Sequence, residues 1–175
     1  NVSDFGVGAG TVLNGQIYPG HDSRLAGEVG HMVVEPGGLP CGCGRRGCWE
    51  LYTSNEATWK RYDPQTPFTV ERFEGMLAAA QQGKRRALNA IEKTARYLSL
   101  GISNIRFLLN PAEVVIAGRL VAVWNLMETT LAAYDSPQLR CSLRPARLSA
   151  DDSLLHGAVC LALREIFAAP RFGEA

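Results

Sequence analysis

Hydrophobic residues in the middle of the chain recur every three or four positions, which predicts a long helix that follows Gly83 and ends at Asn110-Pro111. Because these residues share one stripe of the helix, we expect them to face a core inside the domain. The whole stripe comprises Leu88, Ile91, Ala95, Leu98, Ile102, Ile105 and Leu109. Its part from Leu98 onward also suits an interface between subunits.

Shorter helices are predicted on both sides of this long one. Residues 50–62 and 69–82 have helical patterns, and Thr69 is the expected N-cap of the second. Two more helices are expected over 120–134 and 153–167, the last capped by Asp151 or Asp152. The apolar face of the 69–82 helix is formed by Phe73, Met76, Leu77 and Ala80.

Strand patterns alternate with these helices. The β-branched run 113–117 predicts a buried strand, and 142–148 predicts another. Near the start, Asn14-Gly15 is a hairpin turn signal between strands 11–13 and 16–18, and a short apolar strand is expected at 32–34. The alternation indicates an α/β layer with a buried sheet, and we expect a single domain over 1–175.

Composition narrows the classes of protein to consider. The 175 residues are 46% hydrophobic and 20% charged, as in an ordinary globular domain. A net charge of +1 gives no basic footprint for nucleic acid, and no apolar run approaches the ~20 residues of a membrane span. We therefore expect a soluble, cytoplasmic protein. The chain starts abruptly in a glycine-broken strand, so we also expect that an N-terminal portion of the parent is missing.

Three of the five cysteines lie within eight residues, beside glycines, and His31 precedes them. Three thiolates and one imidazole form a common closed zinc set, so the spacing predicts a structural Zn²⁺ held by His31, Cys41, Cys43 and Cys48 in a loop over 27–50. A redox cysteine set, or reduced cysteines in a mobile loop, is the alternative. Cys141 and Cys160 stand alone and are expected to be small buried hydrophobes.

The motif around this cluster resembles the ROK family, named for repressors, open reading frames and kinases. The resemblance is carried by Gly27-Glu28-Val29-Gly30-His31 and by the box from Cys41 to Glu50, and it covers nearly the whole chain. It implies the C-terminal part of an actin-like, ribonuclease-H-like sugar kinase fold with a zinc-stapled loop. It also implies that Glu28, His31 and Glu50 contact the hydroxyls of a bound sugar. From the residues alone, Glu28 equally suits a surface position and Glu50 the first turn of a helix.

The resemblance leaves two functions open. The family's catalytic aspartate and N-terminal phosphate motif are absent here, and Ala117 and Arg119 stand where its kinases carry glycines. The stretch 47–54 and the ending 156–170 look more like its sugar-responsive, xylose-repressor-like regulators. A regulator implies DNA binding through a missing N-terminal domain, and a homo-oligomer. The alternative is the C-terminal part of an ATP-dependent sugar kinase, and an unrelated zinc module is a third reading.

The glycine-rich loop that begins at Gly6 is the remaining candidate. Backbone amides at Gly8, Ala9 and Gly10 are free of bulky side chains and suit contact with a phosphate. The same glycines equally suit a tight turn beside a strand. ATP is expected as a ligand only if the parent is a kinase.

Overall fold

A computed structural model describes residues 1–21, 25–133 and 141–167. The helices are α1 (Glu50–Thr53), α2 (Asn55–Tyr62), α3 (Val70–Gln81), α4 (Arg85–Leu109), α5 (Trp124–Ala133) and α6 (Ala150–Phe167). Two 3₁₀ helices lie at Val29–His31 and Arg119–Val123. The strands are β1 (Val12–Leu13), β2 (Gln16–Ile17), β3 (Glu113–Ile116) and β4 (Ser142–Pro145).

The long helix α4 is the centre of the fold, since α1, α2, α3 and α5 all pack against it. Its predicted core stripe is confirmed at Ile91, Ala95, Leu98 and Ile102, which are buried, so this part faces the protein's own core. Leu88 and Ile105 lie at the margin of that core. Leu109 is 42% exposed, because the helix runs past its neighbours before ending at left-handed Asn110.

Helix α3 confirms its predicted cap and face. The Thr69 hydroxyl accepts a hydrogen bond from the Arg72 amide at 3.2 Å, and the four predicted apolar residues are buried. The single helix expected over 50–62 is wrong, because Ser54 is extended and separates α1 from α2. The Ser54 hydroxyl caps α2 by accepting from the Ala57 amide at 3.2 Å.

The predicted hairpin is confirmed. Strands β1 and β2 pair antiparallel, with Val12 opposite Ile17, and both turn residues, Asn14 and Gly15, have positive φ. This is the backbone shape for which Asn-Gly is favoured in two-residue hairpins. The strand expected at 32–34 is reduced to one bridge between Val33 and Cys48.

Strands β3 and β4 pair parallel, with Glu113 opposite Ser142. The prediction that 113–117 is a buried strand is wrong for most of its length. Ile116 is buried as expected, but Val115 is 40% exposed. Within the described residues this sheet has two strands, so β3 has β4 as its one strand partner there. Strand β4 ends at Pro145, earlier than expected.

Two helix starts also differ from expectation. The region predicted as one helix over 120–134 begins as the 3₁₀ turn Arg119–Val123, and Tyr134 lies outside the described residues. Helix α6 is capped by Ser149, whose hydroxyl accepts from the Asp152 amide at 3.0 Å, so neither Asp151 nor Asp152 is the cap. Residues 168–170 of the regulator-like ending lie outside the described part. Among the helices described, none has the length and apolar character to cross a bilayer.

Candidate metal centre

The cysteine-rich loop is folded by its own backbone. The Cys41 amide donates to the Arg45 carbonyl at 2.8 Å, and the Gly44 amide donates back to the Cys41 carbonyl at 3.0 Å. This tight turn brings Cys43 to the tip of the loop. A β-bridge between Pro40 and Arg46 closes the base of the loop, so backbone contacts alone define this turn.

The returning strand of the loop lies against the segment that follows His31. The Val34 amide donates to the Gly47 carbonyl at 2.9 Å, and the Trp49 amide donates to the Met32 carbonyl at 2.8 Å. A Cβ at Gly47 would lie 1.8 Å from the Glu35 carbonyl oxygen, and its φ is +78°, so only glycine fits there. This pairing carries Cys48 next to His31.

His31, Cys41, Cys43 and Cys48 converge, and their ligand atoms all lie within 4.8 Å of one another. Cys43 Sγ is 3.6 Å from Cys48 Sγ, and Cys41 Sγ is 3.6 Å from His31 Nδ1. A zinc tetrahedron with Zn–S of about 2.3 Å and Zn–N of about 2.05 Å has S···S edges of about 3.8 Å and N···S edges of about 3.6 Å. These two separations match the edges of a tetrahedral site, and the group can hold a metal ion, while all three cysteines are free thiols.

The three thiols differ in acidity. Hydrogen bonds from the backbone and side chain of Arg45 lower the pKa of Cys43 to about 6. Burial raises the pKa of Cys48 to about 12. The Cys43 amide opposes the rise at Cys41, but burial and the Glu50 carboxylate prevail and leave the pKa of Cys41 raised. A bound cation favours the thiolate at every such position, so metal binding and proton release are coupled.

The two predicted sugar-contacting glutamates flank His31 on opposite sides. Glu50 Oε1 lies 3.4 Å from His31 Nδ1 and accepts from the Cys41 thiol at 3.3 Å. Glu28 Oε2 lies 4.0 Å from His31 Nε2. Glu50 is mostly buried, at 17% side-chain exposure, whereas Glu28 is 55% exposed. The structure thus brings Glu28, His31 and Glu50 together beside the cysteine cluster.

The glycine-rich loop is hydrogen-bonded through its backbone to the segment that carries Glu28. The Ala9 amide donates to the Gly27 carbonyl at 2.8 Å, and the Gly30 amide donates to the Val7 carbonyl at 2.9 Å. The Gly8 amide donates to the Asn1 carbonyl at 3.0 Å. Two of the three amides expected to bind phosphate are therefore committed to backbone partners, and phosphate contact by Gly8, Ala9 and Gly10 stays a prediction.

One contact that anchors the loop was missed in the sequence. The Trp49 ring is buried, its indole N–H donates to the Tyr97 carbonyl at 2.6 Å, and it lies on Gly101 of α4. A Cβ at Gly101 would be 2.1 Å from the ring. The signal in the sequence was Gly101 itself, in the middle of a strongly periodic helix. A glycine there lowers helix stability by about 1 kcal/mol relative to alanine, which indicates that a packing contact requires it.

Comparisons with known proteins identify the relatives of this chain. The ROK family model matches residues 4–165. The chain is 32% identical over 138 residues to the xylose repressor of Bacillus spizizenii, covering 77% of this chain and 35% of that protein. It is 32% identical over 162 residues to the kanosamine kinase of Amycolatopsis mediterranei, covering 90% of this chain and 52% of the kinase. The chain thus spans between a third and about half of the curated relatives it matches.

Solved structures share the fold. A ROK family glucokinase from Streptomyces griseus, in complex with glucose and AMPPNP, aligns with a TM-score of 0.76 at 24% identity, over 89% of this chain and 57% of the other. A ROK hexokinase from Thermus thermophilus aligns with a TM-score of 0.73 at 29% identity, over 94% of this chain and 56% of the other. The architecture is the α/β, actin-like fold of these sugar kinases and regulators, and the chain belongs to the ROK family.

Proposed function

We propose that this chain is the sugar-binding and assembly part of a sugar-responsive ROK transcription regulator, braced by a structural Zn²⁺. The observation that carries the proposal is the position of His31. One ring nitrogen faces Cys41 and Glu50, and the other faces Glu28 at 4.0 Å. A single side chain therefore joins the metal group to both candidate sugar ligands.

His31 has a different task for each nitrogen. We assign Nδ1 to the metal, together with the three cysteine sulfurs, which leaves Nε2 carrying its proton toward the side of Glu28. A sugar hydroxyl seated there would accept from the imidazole N–H and donate to the carboxylate. Zinc bound by four protein ligands supplies a closed structural clamp with no open coordination position.

Arg119 supports a regulator over a kinase. Its guanidinium lies 3.5 Å from Asp4 Oδ1 and 2.9 Å from Glu74 Oε1. Two carboxylates beside this arginine disfavour an incoming nucleotide phosphate at the end of β3. Asp4 itself lies two residues before the start of the glycine-rich loop, where a negative charge opposes phosphate binding.

The second candidate is the corresponding part of an ATP-dependent sugar kinase. It is supported by the similarity to the kanosamine kinase over 90% of the chain and to the Thermus thermophilus hexokinase structure. The two candidates are separated with the full-length parent protein. A regulator binds operator DNA through a segment preceding Asn1 and forms no phosphorylated sugar. A kinase consumes ATP in the presence of a sugar.

The proposed partners follow from the regulator assignment. They are one small sugar per site, a second copy of the chain in a homo-oligomer, and DNA contacted outside this segment. The proposed location is the cytoplasm, where both the sugar and the DNA are available to a bacterial regulator.

The sugar site is tested by calorimetry on zinc-loaded protein with D-xylose, D-glucose and N-acetylglucosamine. Glu28→Gln and Glu50→Gln each remove a charge-assisted hydrogen bond worth about 1.5–3 kcal/mol, so each should weaken the best sugar roughly tenfold to a hundredfold. Glu128→Gln is the matched control, because Glu128 is exposed on α5 away from the site. Unchanged affinity in both test variants, with normal circular dichroism, would remove these glutamates from the pocket.

A further inference from the structure

A second concave site lies on another side of the metal loop. It is a cleft of about 550 Å³ between the loop segment 37–46 and helices α2 and α4. None of Glu28, His31 and Glu50 lines it. A volume of this size suits a small organic ligand.

Positive charge dominates this cleft. Arg46 reaches it from the loop, Lys60 and Arg61 from α2, and Lys93 from α4, and no carboxylate is among its lining residues. Lys60 is paired with Glu56 at 3.0 Å. In the part of the chain that the structure describes, the other three cations have no carboxylate within ion-pair distance. A carboxylate that lies near the cleft is Glu35, whose Oε2 accepts from the Tyr97 hydroxyl at 3.4 Å.

Arg61 is the most constrained of these cations. Its guanidinium donates to the Thr94 hydroxyl at 2.6 Å and to the Tyr52 carbonyl, and it lies 5.8 Å from the centre of the Tyr97 ring. These neutral partners hold the group in place without cancelling its charge. A half-buried, unpaired cation is costly, and an anion entering the cleft relieves that cost.

The cleft also has an apolar side. Leu39 and Leu51 line it together with the stacked rings of Tyr52 and Tyr97, whose centroids are 4.6 Å apart. The Tyr52 hydroxyl accepts from the Leu39 amide at 2.9 Å, which fixes the loop against this aromatic pair. A ligand with both an anionic group and an apolar or ring-shaped body matches the combination.

We propose that this cleft binds the phosphate monoester of a small organic molecule. Guanidinium groups bind phosphate oxygens with paired hydrogen bonds, and Arg46 uses only its Nε, on the Gly37 carbonyl at 3.3 Å. The phosphoryl group lies among Arg46, Arg61 and Lys93, and the organic body lies on Leu39 and Tyr97. Such a ligand ties the metal loop to α2 and α4, and this site goes beyond the proposed sugar pocket.

Phenyl phosphate is the probe, titrated calorimetrically into zinc-loaded protein, with inorganic phosphate and benzoate in parallel. The test variant is Arg46→Gln/Lys93→Gln, since both side chains are exposed. The control is Lys84→Gln/Arg85→Gln at the start of α4, which removes the same charge outside the cleft. Zinc content and circular dichroism are measured for each protein.

We expect one phenyl phosphate per chain, weakened tenfold or more in the test variant and less than about twofold in the control. Equal weakening in both variants would mean a general charge effect and overturn the site. Failure of wild-type protein to bind phenyl phosphate below about 1 mM would also overturn it. If inorganic phosphate binds as tightly as phenyl phosphate, the proposal that the ligand is an organic monoester is refuted. If benzoate binds as tightly as phenyl phosphate, the proposal that the anionic group is a phosphate is refuted.

Discussion

The contact between Trp49 and Gly101 gives the sharpest mutational test of how the metal loop is held. Gly101→Ala places a methyl group 2.1–2.4 Å from three carbons of the indole ring. Ordinary contacts between carbons begin near 3.5 Å, so the ring must shift by more than about 1 Å. It has little room to do so, because the Trp49 side chain is 2% exposed and its N–H is bound to Tyr97.

The magnitude follows from three contributions. Overpacking a filled core costs about 1–3 kcal/mol. Loss of the indole hydrogen bond adds about 1 kcal/mol. The higher helix propensity of alanine relative to a mid-helix glycine stabilises the protein by about 1 kcal/mol. The expected net loss in the free energy of unfolding is therefore about 1–3 kcal/mol. Because Trp49 directly follows the proposed ligand Cys48, zinc retention against a competing chelator should also fall.

The assay is urea denaturation followed by far-ultraviolet circular dichroism, at equal metal loading. Gly75→Ala is a matched control, since Gly75 lies within α3 and a Cβ there has nothing within 4 Å. We expect the control to be more stable than wild type by about 0.5–1 kcal/mol. If the control is stabilised as expected and Gly101→Ala is at least as stable as wild type, the Trp49 ring is not held against α4 and the reasoning is refuted.

Three further predictions concern the loop and the assembly. Protein purified without added metal should contain one zinc per chain, and strong chelation should lower its thermal midpoint by loosening residues 27–50; elemental analysis near zero with intact ligands would contradict this. In the full-length parent, Cys43→Ser should reduce the sugar-dependent change in operator affinity, which is normally worth about 1–3 kcal/mol; a folded, sugar-binding variant with an undiminished response would make the loop scaffolding only. Light scattering should give a dimer or tetramer, and a strictly monomeric mass at high concentration would count against assembly.

Several features follow from local sequence alone. Helix α4 was predictable because its apolar spacing is sustained over 25 residues, and α3 because Thr69 caps a periodic segment. The Asn14-Gly15 hairpin was predictable because few residue pairs accept two positive φ angles. The clustering of the four candidate metal ligands was predictable because they lie within a short stretch with family-like spacing.

Other features depend on residues far apart in the chain. The break at Ser54 was not predictable, since the first amides of α2 are satisfied from the N-terminal segment: Asn55 donates to the Ser3 carbonyl at 3.0 Å and Glu56 to the Asp4 carbonyl at 2.9 Å. Similarly, the β-branched run at β3 suits a buried strand whether or not a layer covers Val115. Local propensity contains no information about such partners.

The sequence by itself therefore determined α3, α4, the hairpin and the candidate metal-binding cluster, because helix periodicity, turn chemistry and ligand spacing act over a few residues. Only the tertiary structure decided what these elements enclose. Backbone pairing between the two sides of the loop brings Glu50 to His31. The packing of the loop on α4 brings Trp49 to Gly101 and the cations of three separate segments into one cleft. These contacts on α4 are set by how the helix and its neighbours fill the core, and core packing is a property of the whole chain.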